Sequence, residues 1–277
     1  MNFNPRQLKL IEVVRERGSA TVEELAEQLS VTLQTVRRDV QKVAESGALR
    51  RFHGGVRVPS STTENIAHPQ RQGLHAEGKA RIARAVAQQV PDDCSLILNI
   101  GTTTEAIAEA LLQHQGLRVI TNNLNVATIL CRNPSFEVIV AGGTVRRSDG
   151  GVVGSTATQL IGQFKVDYAI IGASAIDEEG ALLDFDYREV QVAQAIIANA
   201  RSVMLVADST KLHRSAPVRI AHLSQIQTFV TDRPLPDGLA SLCHSRGIEV
   251  VSAMPADEAE EAAEAAETAN PAALRRA

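Results

Sequence analysis

The sequence predicts an α/β protein in which an N-terminal winged helix-turn-helix precedes a larger α/β domain on a mostly parallel sheet. Three observations point there. Residues 1–58 break into three helix-patterned stretches followed by a basic, glycine-centred hairpin. From Leu96 onward, short apolar runs alternate with helical spacing, the pattern of a parallel sheet covered by helices on both faces. Charge is divided too: residues 1–58 hold 10 Lys/Arg against 7 Asp/Glu, whereas the whole chain carries a formal net charge of −4.

Pro5–Arg17 places Leu8, Leu10, Ile11, Val13 and Val14 on one helical face, and Gly18 ends the run. Thr21-Val-Glu-Glu24 matches a capping box, with a hydroxyl at the cap and a carboxylate three residues on. The helix over 22–29 is expected to bury Val22, Leu25, Ala26 and Leu29. After a short turn, Thr32 can cap a third helix over 33–44, with Leu33, Val36, Val40 and Val43 inward. That leaves Thr32, Gln34, Thr35, Arg37, Arg38 and Lys42 outward or at the margins. Helix, tight turn, helix is the arrangement whose last helix enters the DNA major groove. Glutamine pairs with adenine and arginine with guanine, while hydroxyls and other cations hold phosphates.

Gly47–Val58 contains Arg50, Arg51, His53 and Arg57 and no acid. Gly54-Gly55 between β-prone stretches reads as a hairpin, a wing laid against the DNA backbone. An Arg-Arg pair on a helix is by itself usually a solvated face, and three-helix folds also bind proteins. Here the cap, the outward arginines and the acid-free hairpin agree on binding double-stranded DNA. His53 reads equally as a phosphate contact or a turn residue.

Residues 59–75 are polar and weakly patterned, a linker with some order near Arg71. A helix resumes at Glu77 and runs toward Pro91. Strands are expected over 96–100, 117–121, 136–141, 166–172, 202–207, 228–231 and 248–251, with helices over 104–113, 124–131, 155–163 and 235–246. Ligands of such sheets bind beyond the carboxyl ends of the strands.

The most informative strand end is the first, where Gly101 leads through Thr102, Thr103 and Thr104 into a helix. Free amides and the positive end of the helix dipole suit an anion there. A threonine that merely caps the helix is the competing reading. Asn122 and Asn123, Gly142 and Gly143, Ala173 and Ser174, and Asp208 with Lys211 stand at the other ends. Each alone reads as a cap or turn; together they suit a small phosphorylated molecule, with lysine and threonines for the phosphate and asparagines and carboxylates for hydroxyls. Asp184, Asp186, Glu189 and Lys211 would also serve an aldose–ketose isomerase, as carboxylate base and amine. No nucleophile–histidine arrangement or metal-ligand spacing is evident, so no catalytic residue, metal or cofactor is expected.

Cys94, Cys131 and Cys243 form no C-x-x-C pair and read as small buried apolar side chains. The N-terminus lacks the apolar core of a signal peptide and no run reaches membrane-spanning length, so a cytoplasmic protein is expected. Residues 253–277 hold 6 acids, 2 arginines and few large apolar groups, and read as a disordered acidic tail.

Taken together, Thr21–Val40 with Arg37-Arg38-Asp39, the wing Arg50–Gly55, Gly101–Thr104, Thr121–Asn123, Gly142-Gly143 and Asp208–Lys211 resemble the DeoR family of bacterial repressors over about residues 5–252. Asn122–Ala127, Ser148–Gly151 and Leu183–Val190 resemble more narrowly its branch governing glycerol-3-phosphate regulons. The resemblance implies a sensor domain of the sugar-phosphate isomerase type that has kept binding and lost catalysis. It implies a homo-oligomer, dimer or tetramer, that leaves operator DNA when a phosphorylated effector binds, glycerol-3-phosphate or a sugar phosphate. The effector residues on that reading are Gly101, Thr102, Thr103, Thr104, Asn122, Asn123, Gly142, Gly143, Asp184, Asp186, Asp208 and Lys211. Leu212 departs from the aromatic residue that relatives often carry after the lysine, which bears on the lid over the pocket. The expected organisation is a winged helix-turn-helix over 1–58, a linker over 59–75, a phosphosugar-type sensor over 76–252 and the tail.

Overall fold

The computed structural model describes residues 3–17, 19–52, 54–57 and 67–255, apart from the side chains of residues 15–17, 19, 57 and 213. His53, the side chain of Arg57 and most of the acidic tail therefore lie outside the described residues.

The N-terminal unit runs α1 (Pro5–Arg17), β1 (Ser19–Thr21), α2 (Val22–Gln28), α3 (Leu33–Glu45), β2 (Arg50–Phe52) and β3 (Gly55–Arg57). The capping box forms: Thr21 Oγ1 accepts the Glu24 N–H at 3.1 Å and Glu24 Oε2 accepts the Thr21 N–H at 2.8 Å. Leu10, Val14, Leu25, Val36, Val40, Val43, Leu49 and Val56 fill one small core. The hairpin is more than a hairpin, because β1 pairs antiparallel with β3 to make a three-stranded sheet in the order β1-β3-β2. Two expected core positions are exposed, Leu8 and Leu33, and Leu29 is only half-buried. The inward stripe of α3 instead includes Asp39. Its carboxylate accepts from Arg6 Nε at 2.5 Å and Gln7 Nε2 at 2.9 Å, tying α1 to the reading helix. The apolar pattern could not show this, because a buried carboxylate is tolerated only where partners from elsewhere in the chain meet it.

The larger unit begins with α4 (His68–Gly73) and α5 (Ala76–Ala87). It continues through β4 (Ser95–Leu98), α6 (Thr102–Leu111), β5 (Arg118–Thr121), α7 (Leu124–Leu130) and β6 (Glu137–Val140). A short arm, β7 (Thr144–Val145) with β8 (Val152–Val153), leads to α8 (Ser155–Ile161) and β9 (Val166–Ile171). Then come β10 (Ala175–Ile176), β11 (Ala181–Asp184), α9 (Tyr187–Ala198), β12 (Ala200–Val206), a 3-10 turn over Ser209–His213 and β13 (Val218–His222). After β14 (Thr228–Thr231), α10 (Asp237–Ser245) and β15 (Glu249–Ser252) close the described fold.

All seven expected strands are present and lie in one parallel sheet, in the order β15-β14-β12-β9-β4-β5-β6. Alternate residues of β4 face opposite ways. Leu96 and Leu98 join Ile82, Val86, Ile107 and Leu111 of α5 and α6. Ile97 joins Ile161, Val190, Ile196 and Cys243 of α8, α9 and α10. The order reverses between β4 and β9, so their carboxyl ends diverge and leave a crevice there.

Four features depart from expectation. α9 and a second, antiparallel sheet in the order β10-β11-β13 were not foreseen. Cys131 is exposed, at the end of α7, whereas Cys94 and Cys243 are buried. Within the expected linker, α4 is a docked helix with His68 buried. Among the described residues no helix is long and apolar enough to cross a membrane.

Candidate functional site

The first site is the outer face of α3 and the wing. Thr32 caps α3 and its hydroxyl lies 2.9 Å from that of Thr35, so both threonines order the helix start. Gln34, Arg37, Arg38, Lys42, Arg50 and Arg51 are exposed. Gln34, Arg37, Arg38 and Arg51 line one groove between α3 and the wing. None of these arginines forms an ion pair among the described residues. Burying Val36, Val40 and Val43 inward turns this face outward, because residues three and four apart share a helix side.

The second site is the crevice where the sheet order reverses. Gly101 holds φ 148°, a backbone region that favours glycine, and opens α6 without a side-chain cap. The amides of Thr102 and Thr103 start that helix, and both residues line the crevice. Thr104 is different: its hydroxyl donates to the carbonyls of Asn99 (2.8 Å) and Gly101 (2.7 Å), so it builds the loop. At the end of β12, Asp208 caps the 3-10 turn by accepting the Thr210 N–H at 3.1 Å, and Lys211 donates its own N–H to the Asp208 carbonyl at 3.0 Å. This turn directs the Lys211 side chain into the crevice.

Electrostatically the crevice sets Lys211 and Arg71 beside the carboxyl groups of Asp184 and Glu189. Among the described residues, Lys211 Nζ has no hydrogen bond and no ion pair. Burial lowers its amine from the ordinary value; Asp208 opposes this, and Arg214 and Arg71 add to it. Arg214 is itself lowered by burial and by Arg71, and stacks over Phe185 at 5.8 Å. For Asp208, burial would raise the carboxyl, but Lys211 and the Thr210 hydroxyl outweigh it and hold it below the usual range. Asp184 lines the crevice and accepts from Ser174 Oγ at 3.0 Å and the Phe185 N–H at 2.6 Å. A phosphate would supply Lys211 Nζ with the acceptors it does not have among the described residues.

Several expected effector residues fall elsewhere. Asn122 is fully buried and donates to the Val152 carbonyl at 3.1 Å, while Asn123 caps α7 through the N–H groups of Asn125 and Val126. Both pin the β7–β8 arm to the sheet and neither lines the crevice. Gly143, at φ 150°, lets the arm approach closely, since a Cβ there would stand 2.8 Å from the Val153 carbonyl. Gly142 beside it is exposed. Asp186 caps α9 and pairs with Arg146 at 3.1 Å and Arg188 at 3.0 Å. Strand-end position predicted the asparagines and glycines, but each strand end also needs polar groups to fix its own turn.

Glu189, named from the sequence only for an isomerase-type crevice, belongs to the site, as do two residues not assigned to it. Glu189 lines the crevice and pairs with Arg146 at 2.6 Å. Burial, then Asp184, push its carboxyl up to about 7. Arg71, on α4, reaches the crevice and lies 3.5 Å from Asp149. Beneath it, Lys79 is buried and donates to the carbonyls of Arg71 and Leu74; burial lowers its amine to about 8. For Arg71 the polar run around it is the one local signal, and Lys79 has none, since long-range pairing has no period.

Known proteins bear on the reading. The model of the DeoR-like helix-turn-helix domain matches residues 6–62, and that of the DeoR C terminal sensor domain matches residues 74–233. The chain is 45% identical over 236 residues to the glycerol-3-phosphate regulon repressor of Escherichia coli (strain K12), covering 85% of this chain and 93% of that one. It is 43% identical over 248 residues to the HTH-type transcriptional repressor CsqR of the same organism, covering 90% and 95%. Among solved structures it is similar to ribose 5-phosphate isomerase A from Neisseria gonorrhoeae, at TM-score 0.35 and 14% identity over 48% of this chain and 52% of that one. With its helix-turn-helix and its sensor unit both matched, the chain belongs to the DeoR family of DNA-binding transcriptional repressors.

Proposed function

We propose that this chain is a cytoplasmic, homo-oligomeric repressor that leaves operator DNA when a phosphate ester, foremost glycerol-3-phosphate, enters the crevice at Gly101–Thr103 and Lys211. The observation that carries the reading is Lys211: an ammonium turned into a crevice beside further cations and a helix N-terminus, with no ion-pair partner among the described residues. The relative named a glycerol-3-phosphate regulon repressor supports the choice of effector. The working units on this reading are residues 1–58 for DNA and 76–252 for the effector.

Release requires the effector to bind the DNA-incompetent arrangement more tightly. Reciprocity then makes DNA weaken effector binding by the same factor, typically ~5- to 150-fold. Calorimetric titration of the full chain with a panel of phosphate esters tests the ligand. Glycerol-3-phosphate should bind, and Lys211→Ala should weaken it by at least about tenfold, the loss of one charge-assisted contact. Equal affinity of the variant, or no binding by the wild type, removes the proposal.

A second reading draws on Glu189, a carboxyl raised to about 7 in the same crevice as Lys211. That is the acid–base pair of an aldose–ketose isomerase carrying a DNA-binding module. Turnover of pentose or hexose phosphates would establish it. The ion pair of Glu189 with Arg146 argues for a structural carboxylate instead.

A further inference from the structure

We propose that Arg71, on the helix joining the DNA-binding unit to the sensor, is itself a phosphate-binding residue of the crevice, so that the effector grips the connector directly. The inference rests on the phosphate-ester reading above and adds to it the residue through which occupancy reaches the front of the chain.

Three observations meet at Arg71. Its Nε is buried without a hydrogen-bond partner. A buried guanidinium nitrogen left unpaired costs free energy that a ligand oxygen would recover. Its one ion pair among the described residues is weak: Nη2 lies 3.5 Å from Asp149 Oδ2, and that same oxygen already accepts from Arg146 Nη2 at 2.6 Å. Asp149 is satisfied on both oxygens by Arg146, so Arg71 can leave it at little cost. Lastly, Arg71 lines the crevice together with Thr102, Thr103 and Lys211. A phosphate monoester there would offer its planar fork the paired acceptors it lacks.

The helix carrying Arg71 is held by polar contacts. His68 Nε2 lies 3.0 Å from Glu105 Oε1, and Gln72 Nε2 donates to Glu105 Oε2 at 3.4 Å. Lys79 fastens the C-terminal end of α4 through two carbonyls. Its sequence, His-Pro-Gln-Arg-Gln-Gly, has no large apolar side chain to bury. Polar docking of this kind is set by local charge, and a dianion arriving beneath α4 changes that charge.

The test uses the full chain, sn-glycerol 3-phosphate, calorimetry and amide hydrogen exchange over residues 67–75. Arg71→Ala should weaken binding about tenfold or more, and Arg71→Lys should recover part of the loss because it keeps the charge without the fork. Gln72→Ala trims the same helix's anchor and removes nothing from the crevice, so its affinity should stay within about twofold of the wild type. Ligand should slow exchange over 67–75 in the wild type and leave it unchanged in Arg71→Ala at saturation. If the wild type binds and Lys211→Ala does not, while Arg71→Ala binds as the wild type does, the role of Arg71 is overturned and the phosphate site stands. If Gln72→Ala loses as much as Arg71→Ala, Arg71 acts only by packing and the proposal also falls. No binding by the wild type overturns both readings.

Discussion

Arg146 decides how much negative charge the crevice retains. Its guanidinium takes both oxygens of Asp149 and one oxygen each of Asp186 and Glu189, within 2.6–3.1 Å. Three carboxylates thereby share this cation, and Asp184 is the crevice carboxylate that it does not pair with. Glu189 is the one of the three whose carboxyl is pushed up. Its folded carboxyl is raised to about 7 by burial and Asp184, above the ordinary value of 4.5, so the folded state holds a proton that the unfolded chain releases. The stability it contributes is therefore full below about 4.5 and is lost as pH rises toward about 7. Glu189→Gln should abolish that slope: urea unfolding from pH 4 to 8 should show the wild type losing stability relative to the variant across this window and running parallel above it. A constant difference at every pH would contradict the burial argument. Lys211 was legible because a lysine after a strand end is a local signal. Arg146 was not, because its partners lie up to 43 positions away.

At the scale of elements, the threonine loop divides its hydroxyls between building the turn and lining the crevice. Thr104 closes the turn by donating to two carbonyls, while Thr102 and Thr103 line the crevice. The turn depends on Gly101. A Cβ there would meet only Thr104 Oγ1, at 3.6 Å, so space is available and the cost is conformational. Gly101→Ala should lower stability by about 1–3 kcal/mol, the range for a side chain forced into a sparsely populated backbone region. Phosphate-ester affinity should fall with it, because the α6 amides lose their aim. Urea unfolding and calorimetry on the same protein check both; an unchanged variant would mean that the loop relaxes freely. Strand–helix alternation located the seven strands of the parallel sheet and five of its helices. It missed α4, whose anchors are His68 and Gln72 rather than an apolar stripe, and α9, whose helical face lies beyond a cap at Asp186.

For the whole molecule, the two sites should separate cleanly under mutation. Arg37 and Arg38 stand exposed on α3, far in sequence from the crevice and without ion pairs among the described residues. Arg38→Ala should weaken binding to a DNA fragment spanning a target promoter. If Arg38 contacts a phosphate, the slope of log affinity against log salt should shrink by roughly one. Phosphate-ester affinity should stay as in the wild type. Fluorescence anisotropy over a salt series, with calorimetry beside it, measures both. An unaltered DNA affinity would take α3 out of the interface.

What the sequence determined by itself is everything with a period or a local rule: the capped helices of the winged helix, the seven parallel strands, and the glycine–threonine loop and lysine at strand ends. Only the tertiary structure decided which strand-end residues converge. The reversal of strand order between β4 and β9 brings Gly101–Thr103, Asp184 and Lys211 to one crevice, and leaves Asn122, Asn123, Gly142, Gly143 and Asp186 as fasteners of their own turns. The reason is physical. Periodicity reports which face of an element is buried, whereas convergence depends on the order in which strands pair, and that order is fixed by packing across the whole sheet.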